Sequence, residues 1–516
     1  MGGSVTDQGQ ARDWRAAVLL VAGLTVARLV ALFATPLELY PDEAQYWLWS
    51  RTLDFGYYSK PPMIAWTIWA TTALGGDAEA WVRLGAPLFQ AGAALVVFAI
   101  ARRLYDGRIA LAATALYTLA PAIQLSAAVI ATDAPLLFFL GLTILAYVAL
   151  LRATQRRLLL AAAVGAALGL AFLSKYAAVY GLIGIALHLV LSPETRRAWS
   201  PTRAGVAILA FAAVMAPNVA WNAAHGFATV QHTAANAAWG GRQLFNVPEL
   251  GEFLLTQFGV FGPIPFAVLI VGVVLAVRRR RLAPADLLLL CFTLPPLLIV
   301  TAQAFVSRAN ANWSGAAYLP GAIVVAAWLV RWRARGWLIA ALALQAAVAA
   351  LFLAFTISPA FAERMGAANS FKRAKGWAQT TELALARAEA EAAGPAGLSA
   401  IAVNSRFLYY AMRYYGRDWF EDPSAPPLRA WLLADTPQNQ AETSAPLTVS
   451  QGRRVLAVAL EGNWRAEMEG DFRRAYGAEI AGVRLDAKRR RRIEMFVGEG
   501  FAPRPRDPLT GRPRSP

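Results

Sequence analysis

A cluster of ionisable and aromatic side chains follows the first long apolar run of the chain. Within about thirty residues the sequence places an adjacent carboxylate pair, Asp42 and Glu43, and a lysine before two prolines, Lys60. Charge of this density beside a membrane segment costs free energy unless it meets water or a polar ligand. The alternative interpretation is a hydrated loop whose aromatic side chains lie at the headgroups.

Further polar residues stand at the ends of later apolar runs. Asp133 lies in ATDAP at a helix start, where N-capping is the alternative role. Lys175 lies in FLSKY at a helix end, where the alternative is a lysine that extends its ammonium to the membrane surface. Arg308, Asn312 and Trp313 lie in SRANANW. Together these positions predict several cations and carboxylates at one face of a membrane.

Such a set of side chains suits sugar transfer from a lipid-linked sugar phosphate. Lysine or arginine would neutralise the charge that grows on the phosphate as the C1–O bond breaks. One carboxylate would take the proton from the acceptor hydroxyl, and another would hold sugar hydroxyls. Tyrosine and tryptophan would stack on the sugar ring or line a groove for an isoprenoid chain.

The composition indicates a polytopic α-helical membrane protein. Of 516 residues, 57% are hydrophobic and 16% are charged, whereas soluble proteins carry about 25% charged residues. Apolar runs of about 20 residues recur along the chain. The net charge of +17 raises the question of nucleic acid, but the placement of the arginines explains it better. The single cysteine, Cys291, excludes an intrachain disulfide and a cysteine metal cluster.

About eleven membrane helices are predicted from the apolar lengths. The first apolar run has no cleavage site after it and is interpreted as a retained helix. The predicted helices cover residues 15–35, 80–101, 109–126, 134–151, 158–173, 176–192, 204–220, 253–277, 286–305, 314–330 and 337–357.

The basic residues are distributed unequally between alternate linkers, which predicts the orientation. By the positive-inside rule the arginine-rich linkers are cytoplasmic. They contain Arg12, Arg15, Arg102, Arg103, Arg108, Arg152, Arg156, Arg157, Arg196, Arg197, Arg203, Arg278 to Arg281, Arg331, Arg333 and Arg335. The opposite linkers contain Arg51, Lys60, Arg83, Lys175, Arg242 and Arg308. The outer segments are then 36–79, 127–133, 174–175, 221–252 and 306–313.

Two regions outside the membrane helices are predicted to fold. Prolines in the first outer loop suggest short interfacial helices there. Beyond residue 358 charged residues become frequent, and 402–415 with 453–460 indicate a small α/β domain. An odd number of crossings places this domain outside, and its Pro- and Arg-rich end is predicted to be disordered. The predicted division is a transmembrane catalytic domain, 1–357, and a periplasmic domain, 358–516.

The sequence resembles the glycosyltransferase family 39 type of membrane transferase, which includes protein O-mannosyltransferases and lipid A aminoarabinose transferases. The matching stretches are the Asp-Glu pair, YYSKPP, TDAP, FLSKY, PNVAWNAAHGF, FGVFGP and ANWSGAAYLP, over roughly residues 15–330. The resemblance implies the GT-C fold and a polyprenyl-phosphate sugar donor used outside the cytoplasm. The chain lacks the large lumenal domain of the mannosyltransferases, and it has fewer helices than the aminoarabinose enzymes and a different tail. The sugar and the acceptor therefore stay open.

The resemblance also implies roles for individual residues. Asp42 would be the catalytic carboxylate, with Glu43 as its neighbour in binding. Lys60, Lys175 and Arg308 would contact the donor phosphate. Asp133 would bind the donor sugar or orient a lysine. The remaining predicted sugar or acceptor contacts are Tyr57, Tyr58, His225, Asn312 and Trp313.

Two other classes of function remain open. A lipid or polysaccharide transporter or flippase would place ionisable residues near the middle of the membrane, often on paired broken helices. An inactive relative would serve as an assembly subunit, which the intact Asp42, Lys60 and Lys175 disfavour.

The predicted partners are the polyprenyl-phosphate sugar, membrane lipids and an envelope acceptor (lipid A or lipopolysaccharide, glycan or protein), with no nucleic acid. No metal is predicted to be obligatory, because the sequence lacks a paired-histidine zinc spacing. Asp42, Glu43 and His225 leave a divalent ion open. The predicted location is the bacterial inner membrane, with the active site facing the periplasm.

Overall fold

The computed structural model describes residues 3–235, 245–279, 281–460 and 464–507. The chain divides into two compact units: residues 1–35 with 53–357, and residues 36–52 with 358–516. Arg242, Arg280 and residues 508–516, which belong to the end predicted to be disordered, lie outside the described residues.

Helices form most of the described chain, and they are numbered here along the sequence. They are α1 Gly3–Ala34, α2 Pro41–Ser50, α3 Met63–Gly75, α4 Glu79–Arg83, α5 Gly85–Leu104, α6 Gly107–Leu119, α7 Pro121–Ala128, α8 Asp133–Arg152, α9 Arg157–Ser174, α10 Val179–Leu191, α11 Pro193–Ala198, α12 Pro201–Ala224, α13 Ala228–Ala235, α14 Val247–Phe261, α15 Pro263–Arg279, α16 Pro284–Val306, α17 Tyr318–Arg331, α18 Arg335–Ile357, α19 Pro359–Arg364, α20 Trp377–Ala392, α21 Arg406–Tyr415, α22 Arg417–Glu421, α23 Gln440–Ser444 and α24 Trp464–Glu469.

The first unit is a polytopic membrane bundle, as the sequence predicts. Within the described residues eight helical segments are long and apolar enough to cross a membrane, or ten if each of two bent pairs is one span. Two shorter apolar helices are Met63–Gly75 and Tyr176–Leu191, and the second corresponds to the predicted helix 176–192. The structure therefore supports eight to ten spans, and the predicted eleven requires one of these shorter helices to be counted as well.

Two predicted helices are not continuous. The helix predicted over 109–126 bends by 59° between α6 and α7, where Pro121 begins the second half. The helix predicted over 253–277 bends by 115° between α14 and α15. At that bend Gly262 has φ +102, a conformation that side chains disfavour, and Pro263 follows.

Close helix contacts in the bundle depend on small residues. On α17 the residues from Tyr318 to Leu329 are all buried, as expected for a helix that is apolar all round. On α9, Gly165 faces the backbone of α12, and a Cβ there would lie 1.9 Å from the carbonyl oxygen of Ala207. Small residues let membrane helices approach this closely. The approach holds the ends of α9 and α12, which carry predicted site residues, beside one another.

The second unit contains a mixed five-stranded sheet with helices, which confirms the predicted α/β domain. The strands are β1 Ala400–Val403, β2 Leu428–Ala430, β3 Arg454–Leu460, β4 Phe472–Arg484 and β5 Arg490–Phe501. The order is β2-β1-β3-β5-β4, with β1 parallel to β2 and β3, and β5 antiparallel to β3 and β4.

Residues 36–52 pack within this second unit although they lie early in the sequence. They include α2, whose Trp47 ring meets Tyr414 of α21 edge-on at a centroid distance of 4.9 Å. The Leu39 N–H donates to the Tyr415 hydroxyl at 2.7 Å. The Asp42–Glu43 pair is thereby part of the same folded unit as the C-terminal sheet.

Candidate active site

Lys175 and Asp133 form an ion pair at adjoining ends of α9 and α8. The Nζ of Lys175 lies 2.8 Å from Oδ1 of Asp133, and the side chains are 21% and 22% exposed. The two helices are antiparallel neighbours joined by a short turn, which brings the start of one to the end of the other. Thr132 takes the N-cap position without a side-chain capping bond. The Asp133 carboxylate therefore contacts Lys175, and its role in orienting a lysine or binding the donor sugar stays a prediction.

Asn312 approaches the same carboxylate from a third segment of the bundle. Its Nδ2 lies 3.5 Å from Oδ2 of Asp133, and its side chain is exposed. Trp313 is partly buried against Phe253 and Val300. Three predicted site residues, on α8, α9 and the segment before α17, thus come together.

A buried glutamine fixes the segment that carries Asn312. The side-chain oxygen of Gln257 accepts hydrogen bonds from the hydroxyls of Ser314 and Tyr318, at 2.9 and 2.6 Å. Its Nε2 donates to the carbonyl oxygen of Ala311 at 3.3 Å. Sequence reasoning missed Gln257, although a glutamine inside the apolar run before FGVFGP was a visible signal.

The loop that carries Lys60 folds around Tyr57. The backbone N–H of Tyr57 donates to the carbonyl oxygen of Lys60 at 3.1 Å, and the N–H of Asp54 donates to the Tyr57 hydroxyl at 3.1 Å. Tyr57 is 4% exposed, and burial raises the pKa of its hydroxyl to about 12. Tyr57 is therefore an anchor of this turn, and its contact with a sugar stays a prediction. The Lys60 side chain is half-buried.

Trp221 connects the same loop to the end of α12. Its Nε1–H donates to Oδ2 of Asp54 at 2.6 Å. The indole ring also covers Gly56, where a Cβ would lie 2.3 Å from the ring atom Cε3. Only glycine leaves room for the ring at that position.

His225 stacks on Trp221 and presents one ring nitrogen to solvent. The ring centroids are 4.1 Å apart and the planes differ by 13°. Nδ1 of His225 lies 2.8 Å from the carbonyl oxygen of Trp221. Because a carbonyl oxygen only accepts, Nδ1 carries the hydrogen, and Nε2 is the accepting nitrogen of the neutral ring. The predicted role of His225 in sugar or acceptor binding stays a prediction.

Buried polar residues near the same helix end complete the attachment of the loop. The Nδ2 of Asn218 donates to the carbonyl oxygen of Phe55 at 2.6 Å. The Thr229 hydroxyl donates to the carbonyl oxygen of Tyr57, also at 2.6 Å. The Tyr176 hydroxyl, next to Lys175 in sequence, donates to Oδ1 of Asn218 at 3.0 Å. The sequence interpretation gave no role to these residues, although asparagine on an apolar helix end was a signal.

Two further predicted residues lie at the edges of this region. The Tyr58 ring lies 5.6 Å from that of His232 on α13. The Arg308 side chain is exposed, while its carbonyl oxygen accepts a hydrogen bond from Gln303 at 3.1 Å. The proposed sugar contact of Tyr58 and phosphate contact of Arg308 stay predictions.

Asp42 and Glu43 lie in the second unit and have different environments. The Asp42 side chain is 56% exposed and pairs with Arg406 of α21, with Oδ1 and Nη1 3.1 Å apart. Glu43 is 1% exposed, and its carboxylate accepts the backbone N–H of Tyr40 at 2.8 Å, which caps the start of α2. Glu43 therefore has a structural role at the helix start, and its part in binding stays a prediction.

No group of three or more His, Cys, Asp and Glu side chains in the described ranges could hold a metal ion. The carboxylates named above meet cations or accept hydrogen bonds from backbone and side-chain N–H groups. Metal use stays a prediction.

Comparison with known proteins supports the resemblance that the sequence motifs indicate. Residues 59–221 match the family described as dolichyl-phosphate-mannose-protein mannosyltransferase. Over 318 residues the chain is 41% identical to the lipid A galacturonosyltransferase RgtD of Rhizobium johnstonii, a match that covers 61% of this chain and 66% of that protein. These matches support the predicted resemblance to the glycosyltransferase family 39 type of GT-C membrane transferases. It matches slightly less than two thirds of the length of this curated relative.

Solved structures agree with the GT-C assignment of the fold. The chain is similar to ArnT from Cupriavidus metallidurans in the apo state, with a TM-score of 0.63 and 17% identity over 94% of this chain and 98% of ArnT. ArnT bound to undecaprenyl phosphate gives a TM-score of 0.58 and 17% identity over 93% and 97%. At this identity the likeness shows the fold alone, and it confirms the predicted GT-C architecture.

Proposed function

We propose that the chain transfers a sugar from a polyprenyl-phosphate donor to lipid A in the cell envelope. The observation that carries the proposal is the Lys175–Asp133 ion pair, in a chain 41% identical to a lipid A galacturonosyltransferase. The proposed donor is a polyprenyl-phosphate galacturonosyl lipid, by analogy with that relative. The proposed site faces the periplasm, as the arginine distribution of the linkers favours.

Lys175 acts on the donor phosphate in this proposal. Asp133 and the helix ends restrict where the ammonium can lie, so that its charge is in place before the reaction. As the bond between C1 of the sugar and the phosphate oxygen breaks, the bonding electrons pass to the phosphate. A preorganised cation stabilises that developing charge at no cost of reorganisation. Lys60, on the turn anchored by Tyr57, makes a second contact with the donor phosphate from a different loop.

Asp42 acts on the acceptor in this proposal. The hydroxyl oxygen of the acceptor forms a new bond to C1 on the face opposite the leaving phosphate, and its proton passes to the Asp42 carboxylate. The configuration at C1 inverts in a single displacement of this kind. The exposed carboxylate of Asp42 supports the role, because a base must reach the proton that it removes.

The test is transfer by the purified chain in lipid nanodiscs. Undecaprenyl-phosphate galacturonic acid and lipid A are supplied, and the product is identified by mass spectrometry. The expected product is lipid A heavier by one galacturonosyl residue, formed equally with and without a chelator. A transporter would move the donor across a bilayer without forming this product. Lipid A that stays unmodified with this donor would refute the proposed function.

A further inference from the structure

Arg406 is the ionic partner of the predicted base, and it comes from the C-terminal part of the chain. Its Nη1 donates to Oδ1 of Asp42 at 3.1 Å and to Oε1 of Gln45 at 2.9 Å. The guanidinium carbon also lies 4.6 Å from the centroid of the Phe407 ring. Three contacts thus restrict the guanidinium, and through it one oxygen of the carboxylate.

The backbones that carry the two side chains are fixed to each other as well. Trp47 of α2 meets Tyr414 of α21 edge-on, and the N–H of Leu39 donates to the Tyr415 hydroxyl at 2.7 Å. Because these contacts lie on both sides of Asp42 in sequence, α2 has little freedom to turn relative to α21.

Glu38 adds a further attachment at the start of another helix. Its carboxylate accepts the backbone N–H groups of Trp377 and Ala378, the first two residues of α20. An anion is favourable at a helix N-terminus, where these N–H groups lack partners within the helix. The segment that carries Asp42 is therefore held by residues of the C-terminal sequence at several points.

The exposure of the ion pair argues against a purely stabilising role. The Asp42 and Arg406 side chains are 56% and 37% exposed, and ion pairs in contact with water contribute little to folding stability. Oδ1 of Asp42 is occupied by Arg406, whereas Oδ2 accepts no hydrogen bond from the residues that the structure describes. The arrangement leaves one carboxylate oxygen available to receive a proton.

We propose that Arg406 is a positioning residue for Asp42, which makes the C-terminal domain a functional part of the transferase. Arg406 holds Oδ1 and directs Oδ2 towards the acceptor hydroxyl. This inference rests on the proposed function, in which the proton of that hydroxyl passes to Asp42. Arg406 itself does not touch the reacting atoms.

The experiment compares Arg406→Gln, Arg406→Lys and a control, Arg413→Gln, in the full-length chain. Arg413 lies on the same helix and contacts the Phe420 ring instead of Asp42, so the control removes the same charge. Single-turnover transfer, donor binding and thermal unfolding are measured for each variant. Arg406→Gln is expected to lower the transfer rate by about 10- to 100-fold, because small displacements of a reacting group are costly. Donor binding should change less than about twofold.

Two comparisons separate positioning from a general structural effect. Arg406→Lys keeps a cation beside Asp42 and should recover part of the lost rate, while Arg413→Gln should behave as wild type. In an Asp42→Asn background, Arg406→Gln should cause no further loss of transfer rate, since the carboxylate that Arg406 positions is already absent.

Three results would overturn the inference. These are a normal transfer rate in Arg406→Gln, an equal loss from Arg406→Gln in the presence and absence of Asp42, and a loss confined to donor binding. If Arg406→Gln unfolds, Arg406→Met, which keeps an unbranched side chain without the charge, is judged by the same criteria. A wild-type chain that transfers no sugar would refute the proposed function and this inference together, whereas normal transfer by Arg406→Gln would refute the inference alone.

Discussion

Lys175 and Asp133 are 42 residues apart in sequence, and their side chains meet at 2.8 Å where α9 ends and α8 begins. The pair is partly buried, so its two charges are screened less than charges on an open surface. Removal of one partner would leave the other charge without compensation. A lysine held by an ion pair differs from one that only extends its ammonium to the membrane surface, and its contact with the donor phosphate stays a prediction.

Lys175→Ala is expected to slow transfer with a barrier increase of about 3 kcal/mol, the usual effect of losing one preorganised contact to developing charge. Asp133→Asn should also slow transfer, because the ammonium loses its orientation. If Asp133 acts through Lys175, the double variant will be no slower than Lys175→Ala. Single-turnover rates of the wild type, the two single variants and the double variant give the coupling free energy between Asp133 and Lys175. Additive losses would instead assign Asp133 an independent contact with the sugar.

Lys60→Ala is expected to reduce transfer by a similar factor, since the proposal gives Lys60 the second contact with the donor phosphate. Lys60→Arg should recover little of the rate, because a planar guanidinium does not replace a compact ammonium. Lys488→Ala, at an exposed lysine of the C-terminal domain, is the matched control and should leave the rate unchanged. Normal turnover by a folded Lys60→Ala protein would remove Lys60 from the phosphate site.

Gly56→Ala is expected to disturb the turn that carries Lys60 without removing any polar group. The added Cβ would lie 2.3 Å from the Trp221 ring, so the ring or the loop must move. Donor affinity should fall, as measured by binding of undecaprenyl phosphate to purified protein. Gly205→Ala on α12 has open space around it and should bind normally. Unchanged binding by Gly56→Ala would show that the Trp221 contact does not position the loop.

The orientation in the membrane can be tested with reporter fusions. Fusions at His232 and after Met365 are expected to report a periplasmic location, and a fusion at Arg333 a cytoplasmic one, as the arginine distribution predicts. The number of spans makes this test informative, because an even number of crossings would leave both ends of the chain on one side. A cytoplasmic reporter after Met365 would place Asp42 and its whole unit on the wrong side for the proposed reaction.

The sequence predicts those features that depend on local pattern. Apolar lengths located the membrane helices, and the residue patterns of 402–415 and 453–460 indicated the α/β domain that contains β1, α21 and β3.

The break at Gly262 was not predicted, although glycine before proline in an apolar run was a signal for it. Arg28 was also missed. It is 5% exposed on α1 and donates to the carbonyl oxygen of Thr118 and to Gln124. Because Arg28 is one charged residue within a long apolar run, the pattern gave no indication of its buried hydrogen bonds.

The parts of the site that sequence reasoning could not supply depend on contacts between distant segments. Asp133 and Lys175 were predicted at the same membrane face, but their pairing follows from the antiparallel packing of α8 on α9. Asp42 and Arg406 are 364 residues apart, and no periodicity links them. Their pairing requires α2 to fold with the C-terminal sheet. Tertiary packing determines this arrangement, and local propensity does not.

Replacement of Asp42 by asparagine tests the central claim most directly. Asparagine keeps the volume and the hydrogen-bonding reach of the side chain but removes its basicity. The account predicts a folded protein that still binds the polyprenyl-phosphate sugar, with single-turnover transfer reduced about 10²-fold or more. Glu43→Gln should have a milder effect, because the buried Glu43 carboxylate caps a helix. Near-normal transfer by Asp42→Asn, with donor binding measured separately on the same preparation, would contradict the account and remove Asp42 as the base.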